Sequence, residues 1–316
     1  MSPAIPLIDL SGLGIEEAAT QRVAAAVGAA CRDIGFFYVT GHGVPPALIE
    51  ASFAASRRFL AAPADLKETV SIKRSPHNRG YVGPKVESLD PSKLPDLKEA
   101  FNIGLDLTPD DPEIRAGVPF RGVNLWPELS GFRETMTAYY DAVWSLGRRL
   151  HEAVALDLGL ESSFFAGKLD RPLAILRLLH YPRRPDEAPA GELGAGEHTD
   201  YGNITLLHTD DAGGLEVRTR QGQWLAAPVI PGAFVCNIGD CLMRWTNDVY
   251  VSTPHRVINP AGRERDSIAF FLDANPDALV ECLPTCRGAG AKYPPVTAAD
   301  YLRSRLDATY KHRQEG

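Results

Sequence analysis

Gly196-Glu197-His198-Thr199-Asp200-Tyr201-Gly202 is the stretch from which the rest of the chain is read. In an extended backbone successive side chains alternate faces, so His198 and Asp200 point the same way and Thr199 points away. That sets an imidazole nitrogen beside a carboxylate oxygen, two of the three ligands of a 2-His-1-carboxylate facial site. An HxD tripeptide alone is weak, since an isolated histidine is ordinarily a surface or core residue. Its weight comes from two later segments, Ser252-Thr253-Pro254-His255-Arg256-Val257 and Arg265-Asp266-Ser267. His255 lies 55 residues beyond Asp200 and opens a strand signal. Two to four strands with their turns consume about that length in a jelly roll, so the ligands can meet across a barrel mouth.

Outward from this stretch, the region after Leu173 carries many short strand signals: Leu173 to Tyr181, Ile204 to His208, Leu215 to Thr219, Trp224 to Val229, Ala233 to Ile238, His255 to Ile258 and Ser267 to Leu272. Pro, Gly, Asp and Asn turns separate them, the pattern of an antiparallel double sheet. The expected fold is mainly β with flanking helices, around a double-stranded β-helix (jelly-roll, cupin-like) core. Upstream, one apolar stripe (Phe132, Met136, Tyr140, Val143, Leu146, Leu150, Val154) predicts a bracing helix over residues 130–158. Further strands are expected at Pro6 to Leu10, Phe36 to Thr40, Arg79 to Gly83 and Lys98 to Gly104. Helices are expected from Ile15 to a closing Gly35, from Pro46 to Leu60, from Pro63 to Val70, and from Thr297 to His312. The Pro-, Asp- and Gly-dense run from Asp106 to Pro127 predicts irregular backbone. The domain reading is residues 1–120 as an N-terminal mixed α/β region, 121–285 as the catalytic core and 286–316 as a helical extension, together one compact unit.

Of 316 residues, 44% are hydrophobic and 23% charged, ordinary for a globular chain. A net charge of −7 argues against a surface built for nucleic acid. The basic runs at residues 72–79 and 303–313 read as solvated faces. No apolar run has the length of a membrane span, and residues 1–12 lack the basic-then-apolar order of a secretory signal. Five cysteines, an odd number, fit reduced thiols and a cytoplasmic location. Cys282 and Cys286 form a CxxxC with no second pair, which argues against zinc there.

Arg265 and Ser267 share a strand face by their i, i+2 spacing and together form a fork-like clamp for a carboxylate. Tyr181, ending LRLLHYP, can add a hydroxyl. Arg265 could instead serve an internal salt bridge, and a YP at a strand end is also common turn chemistry. With two imidazoles and one carboxylate on one face, three adjacent positions on a metal stay open, which suits Fe(II) binding a cosubstrate and then O₂. His42, His77, His151, His180, His208 and His312 have no partner at ligand spacing and read as structural or exposed.

The chain resembles the isopenicillin N synthase-like branch of the Fe(II)/2-oxoglutarate-dependent oxygenases. IPLIDLSG and ACRDIGFFYVTGHGVP are similar to that family's N-terminal region, RGYVG and DLKEAFNIG to its middle. LLHYP, GEHTDYGNITLL, GGLEV, WLAAPVIPGAFVCNIGD and VYVSTPHRVINP followed by RDS are similar to its catalytic core. The resemblance implies Fe(II) held by His198, Asp200 and His255, with Arg265 and Ser267 on the distal carboxylate of 2-oxoglutarate and Tyr181 as helper. Some members carry Asn two residues before that tyrosine; here Leu179 stands there, which puts one cosubstrate contact in question. The implied enzyme is a dioxygenase. It couples oxidative decarboxylation of 2-oxoglutarate, with O₂, to hydroxylation, desaturation or ring closure of a small molecule. Arg79, Tyr81, Asn102, Leu242, Arg244 and Phe271 are candidate substrate contacts, with packing and surface polarity an equal reading for each. Competing readings are an isopenicillin N synthase-type oxidase that does not use 2-oxoglutarate, an ethylene-forming fragmentation of 2-oxoglutarate, a metal-binding jelly-roll sensor without turnover, and a zinc hydrolase. No nucleic-acid or membrane partner is expected.

Overall fold

The strands of the large sheet divide their side chains strictly between two environments. In the computed structural model, which describes residues 5–84, 98–183, 194–259 and 262–309, Leu176 and Leu178 enter a core against helices. Their neighbours Ile175, Arg177, Leu179 and Tyr181 face an internal cavity. The same alternation puts Ile268, Phe270 and Leu272 on the helices and Arg265, Ser267, Ala269 and Phe271 on the cavity. A period of two thus builds a packed wall on one face and a site on the other.

The elements in chain order are β1 (Leu7–Asp9), α1 (Glu17–Asp33), β2 (Phe36–Thr40), α2 (Pro46–Leu60), α3 (Ala64–Thr69), β3 (Gly80–Val82) and β4 (Glu99–Gly104). Then come α4 (Pro112–Arg115), α5 (Phe132–Asp157), β5 (Ile175–Tyr181), β6 (Ala195–His198), β7 (Ile204–Thr209), β8 (Leu215–Arg218), β9 (Trp224–Ala226) and β10 (Phe234–Ile238). α6 (Asp240–Trp245), β11 (His255–Val257), β12 (Arg265–Leu272), β13 (Leu279–Val280), β14 (Val296–Thr297) and α7 (Ala298–Thr309) complete the described chain. The expected extension of the last helix to His312 lies outside the described residues.

Eight strands form the major sheet in the order β1-β2-β10-β7-β12-β5-β4-β3, and four form the minor sheet, β6-β11-β8-β9. Strands from both ends of the N-terminal region flank the core strands in one continuous sheet. Among the described strands of these two sheets, only β1 and β2 pair in parallel. The two sheets enclose a second apolar cluster that includes Phe36, Tyr38, Leu179, Val217 and Val257. This is the jelly-roll double sheet, with helices on the outer face of the large sheet.

α5 braces that outer face along the expected stripe: Met136, Tyr140, Val143, Leu146, Leu150 and Val154 are all buried. Fully burying a side chain of this size contributes about 1.5–3 kcal/mol, so the stripe is a major source of stability. Gly35 closes α1 in the left-handed region (φ 67°), and its N–H reaches back to Ala30 O at 2.8 Å. A Cβ there would meet Val251 O at 2.2 Å. Two helices depart from the expected layout. α4 interrupts the segment read as irregular, and α6 follows β10 where no helix was expected. No described helix is long and apolar enough to cross a membrane. All five cysteines are buried thiols.

Candidate metal centre and cosubstrate pocket

His198 ends β6 and His255 opens β11, and the two residues are directly paired across the antiparallel ladder. Their rings lie 4.3 Å apart between centroids. β6 stops at His198, so Asp200 stands in a loop and not in the strand the spacing implied. The loop is held by the Asp240 N–H donating to Asp200 O at 2.7 Å. The carboxylate still turns to the same side: Asp200 Oδ1 is 3.8 Å from His198 Nε2 and 3.7 Å from His255 Nε2. One ligand atom from each residue lies within 4.8 Å of the others.

Backbone and neighbouring side chains fix which atoms point inward. His198 Nδ1 lies 2.7 Å from Gly196 O and His255 Nδ1 lies 3.2 Å from Thr253 O. A carbonyl can only accept, so each Nδ1 carries the proton and each Nε2 presents a lone pair to the centre. Asp200 Oδ2 accepts from Thr205 Oγ1 (2.6 Å) and Asn237 Nδ2 (2.7 Å), which leaves Oδ1 free beside the two Nε2 atoms. Burial, and next the facing His255, push His198 down to about 3. Burial alone would raise the Asp200 carboxyl. The two imidazoles, Asn237 and Thr205 outweigh it and hold the group below the ordinary carboxylate range. Two neutral imidazoles and an ionised carboxylate form a donor set that fits a divalent first-row metal.

The clamp is built on β12. Arg265, 1% exposed, donates from Nε to Gly213 O at 2.7 Å and from Nη1 to Ser267 Oγ at 3.1 Å. Its Nη2 is buried with no hydrogen-bond partner among the described residues. Tyr181 faces Arg265 in register, and the guanidinium carbon sits 4.9 Å over the tyrosine ring. The tyrosine ring thus stacks on the guanidinium. Leu179 is paired with Ser267 and lines the same wall. No carboxylate of a described residue pairs with Arg265.

Both centres open into one cavity of about 730 Å³. Of the candidate substrate contacts, Arg79, Asn102 and Phe271 line it. Arg79 is fully buried, donates to His77 O (3.1 Å) and Phe120 O (3.3 Å), and is pushed by burial down to about 10. The other three lie elsewhere. The Tyr81 hydroxyl donates to Glu99 Oε2 at 2.6 Å. Leu242, on α6, is wholly within the core, and Arg244 turns outward to Pro294 O at 2.6 Å and stacks on Tyr293. An α-helical turn follows β10, and it carries these two residues away from the cavity they were expected to line.

The cavity also takes in residues that sequence reasoning missed: His77, Lys98, Arg177, Asp273, and Leu302 and Leu306 of α7. Asp273 was within reach of the sequence, since it continues the alternation Arg265, Ser267, Ala269, Phe271. Burial raises its carboxyl to about 7. Thr205 and Asn237 had no such signal, because β7 and β10 bring them in from distant sequence. α7 is fastened to α6 by the Arg305–Asp240 ion pair (3.1 Å), and Asp240 also accepts from Thr199 Oγ1 of the ligand loop at 3.1 Å.

Comparison with known proteins is consistent along the whole chain. A family model described as the 2OG-Fe(II) oxygenase superfamily matches residues 172–274, and one described as the non-haem dioxygenase in morphine synthesis N-terminal region matches residues 5–129. The 2-oxoglutarate-Fe(II) type oxidoreductase hxnY of Emericella nidulans is 40% identical, over 98% of this chain and 92% of its own. The crystal structure of a full-length Neurospora crassa protein in complex with α-ketoglutarate has a TM-score of 0.87 at 36% identity, covering 97% of this chain and 96% of that one. The same Neurospora protein with α-ketoglutarate and thymine has a TM-score of 0.86 at 34% identity, covering 97% of each chain.

Proposed function

The chain belongs to the 2OG-Fe(II) oxygenase superfamily, and from that premise we propose that His198, Asp200 and His255 hold its Fe(II) while Arg265 and Ser267 grip the distal carboxylate of 2-oxoglutarate. The enzyme is an Fe(II)/2-oxoglutarate-dependent dioxygenase, an oxidoreductase that couples cosubstrate decarboxylation with O₂ to oxidation of a further compound. When bound, the iron supplies the redox chemistry that turns 2-oxoglutarate into succinate and CO₂ and oxidises that compound. The observation that carries the residue assignment is the pair of inward-facing Nε2 atoms and one free Asp200 oxygen, sharing a cavity with the unpartnered Nη2 of Arg265.

The chain's own work is binding, orientation and drying. Gly196 O and Thr253 O hold each imidazole in the tautomer a metal needs. Thr205 and Asn237 keep Asp200 ionised and aimed. Leu179, Leu207, Leu215 and Val257 wall the clamp end with apolar surface, where a carboxylate–guanidinium pair is stronger than in water. The substrate is read as a small molecule entering past Arg79, Asn102 and Phe271; the thymine complex of the Neurospora relative and the size of the cavity support this. The −7 net charge and the buried thiols support a cytoplasmic enzyme with no nucleic-acid partner.

An anaerobic titration tests the proposal. Fe(II) followed by 2-oxoglutarate should produce the visible metal-to-ligand charge-transfer band, and His198→Ala or Arg265→Met should abolish or weaken it. A folded protein that binds Fe(II) and gives no band would overturn the assignment. The readings as an oxidase without 2-oxoglutarate, an ethylene-forming enzyme, a sensor or a zinc hydrolase have no observation of their own in their favour.

A further inference from the structure

One carboxylate in the cavity wall is left without a role by the metal and the clamp. Asp273 follows β12 directly, and its side chain continues that strand's inward series. It is 9% exposed, and its Oδ1 has no hydrogen-bond partner among the described residues. Among those residues no cation pairs with it either; only the backbone N–H of Asn203 eases its charge. The other carboxylate of the cavity, Asp200, has Oδ2 engaged by Thr205 and Asn237 and turns Oδ1 to the metal centre beside the two imidazoles. Burial holds a carboxyl left this bare partly protonated near neutral pH, and an opposite charge beside it would restore the ionised form.

Its surroundings narrow what could pair with it. The carboxylate rests against the α-carbon of Gly202, where any Cβ would overlap it, so it stands two residues past Asp200 on the ligand loop. The cavity wall near it is apolar and aromatic: Leu173 is tied to Ala274 by a backbone hydrogen bond, and Phe271 precedes it on the same face. Lys73, Arg79, Lys98, Arg177 and Arg265 also line the cavity, but none of them eases the charge of Asp273, and Arg177 is paired with Ala269, four positions further back along β12. An unpaired carboxyl beside aromatic surface and next to a metal site suits a cation that brings its own N–H donors.

We propose that Asp273 determines specificity for the primary substrate, and that this substrate carries a cationic nitrogen, an amine or a guanidine, which pairs with the Asp273 carboxylate where it meets the cavity. The inference rests on the oxygenase reading and deepens it by naming the substrate's chemistry. Because the carboxylate adjoins the ligand loop, the C–H presented to the metal lies a short carbon chain from that nitrogen.

The test uses the full-length protein loaded with Fe(II) and 2-oxoglutarate. The probes are primary amines and guanidines, each alongside the alcohol and the carboxylic acid of the same carbon skeleton. Two signals are read: perturbation of the charge-transfer band without oxygen, and succinate released with oxygen above the uncoupled background. Amines or guanidines should give both signals and their alcohol and acid counterparts neither. Asp273→Asn keeps the shape and removes the charge. It should weaken the amine-dependent band shift and raise KM at least about tenfold, with a smaller change in kcat. Asp273→Ser provides a second variant, and band formation before any amine is added reports that each variant is folded and loaded. Activity restricted to acids or alcohols, no response to any amine, or an Asp273→Asn enzyme with unchanged amine KM would each overturn the proposal. Failure of the band itself in wild-type protein would instead sink the metal and cosubstrate reading, and this inference with it.

Discussion

Replacing Arg265 by methionine separates cosubstrate binding from folding, because the guanidinium does little for the free protein. Methionine fills much the same volume without the charge. It gives up the bonds to Gly213 O and Ser267 Oγ, about 1 kcal/mol each, and it also removes a buried Nη2 that has no partner, which costs about 1–3 kcal/mol. These contributions nearly cancel, so the melting temperature without 2-oxoglutarate should stay within about 2 °C of wild type. Binding is different. A carboxylate held by two charge-assisted bonds loses about 3–6 kcal/mol when both go, so Kd for 2-oxoglutarate should rise about 10²- to 10⁴-fold. The assay is thermal melting under anaerobic Fe(II), with and without 2-oxoglutarate at a hundred times the wild-type Kd. Wild type should gain about 2.7 kcal/mol, or about 5 °C, and the variant less than about 1 °C. A variant that keeps the full shift, or that melts many degrees lower when unliganded, would refute the reasoning.

Three further outcomes are expected. His198→Ala should remove tight Fe(II) binding and with it the charge-transfer band, while far-UV circular dichroism stays unchanged, since the ring is lost from the cavity lining and not from the helix-packed core. Gly202→Ala should push the Asp273 carboxylate away from the ligand loop, costing about 1–3 kcal/mol in urea unfolding and weakening Fe(II) affinity; a silent substitution would contradict the close contact. His151 is 1% exposed, and burial pushes it down to about 4, below the ordinary imidazole value near 6.5. The unfolded chain therefore binds the extra proton between those values. The stability from a neutral His151 is complete above pH 6.5 and is lost as pH falls towards 4, about 2.5 kcal/mol by pH 4.5. His151→Gln should unfold in urea with a correspondingly smaller loss between pH 7 and 4.5.

How much was legible follows from how local each signal is. The α5 stripe, the Gly35 stop and the alternation of β5 and β12 are each written within one element, so periodicity reads them directly. His198, His255, Arg265 and Ser267 were legible for the same reason: each sits in a strand whose inward face the pattern gives. Asp200 shows the limit, because its side chain points as an extended backbone would send it although the strand has ended, and what holds it there is the Asp240 N–H from α6. That helix, like α4, was an element the sequence hid. Six residues are too few to establish a stripe, so Leu242 and Arg244 looked like cavity residues when the turn of the helix sends one inward to the core and the other against Tyr293 and Pro294. Thr205 and Asn237 were hidden differently. Each is an ordinary polar residue in its own strand, and acquires meaning only when β7 and β10 pair and bring both to one Asp200 oxygen. Asp273 falls between these cases, since its face was predictable from Arg265 eight residues earlier, but its lack of a partner was not. Absence of a partner is a property of the whole folded cavity, and so the charge that singles out a substrate is the part of this site that only three dimensions could supply.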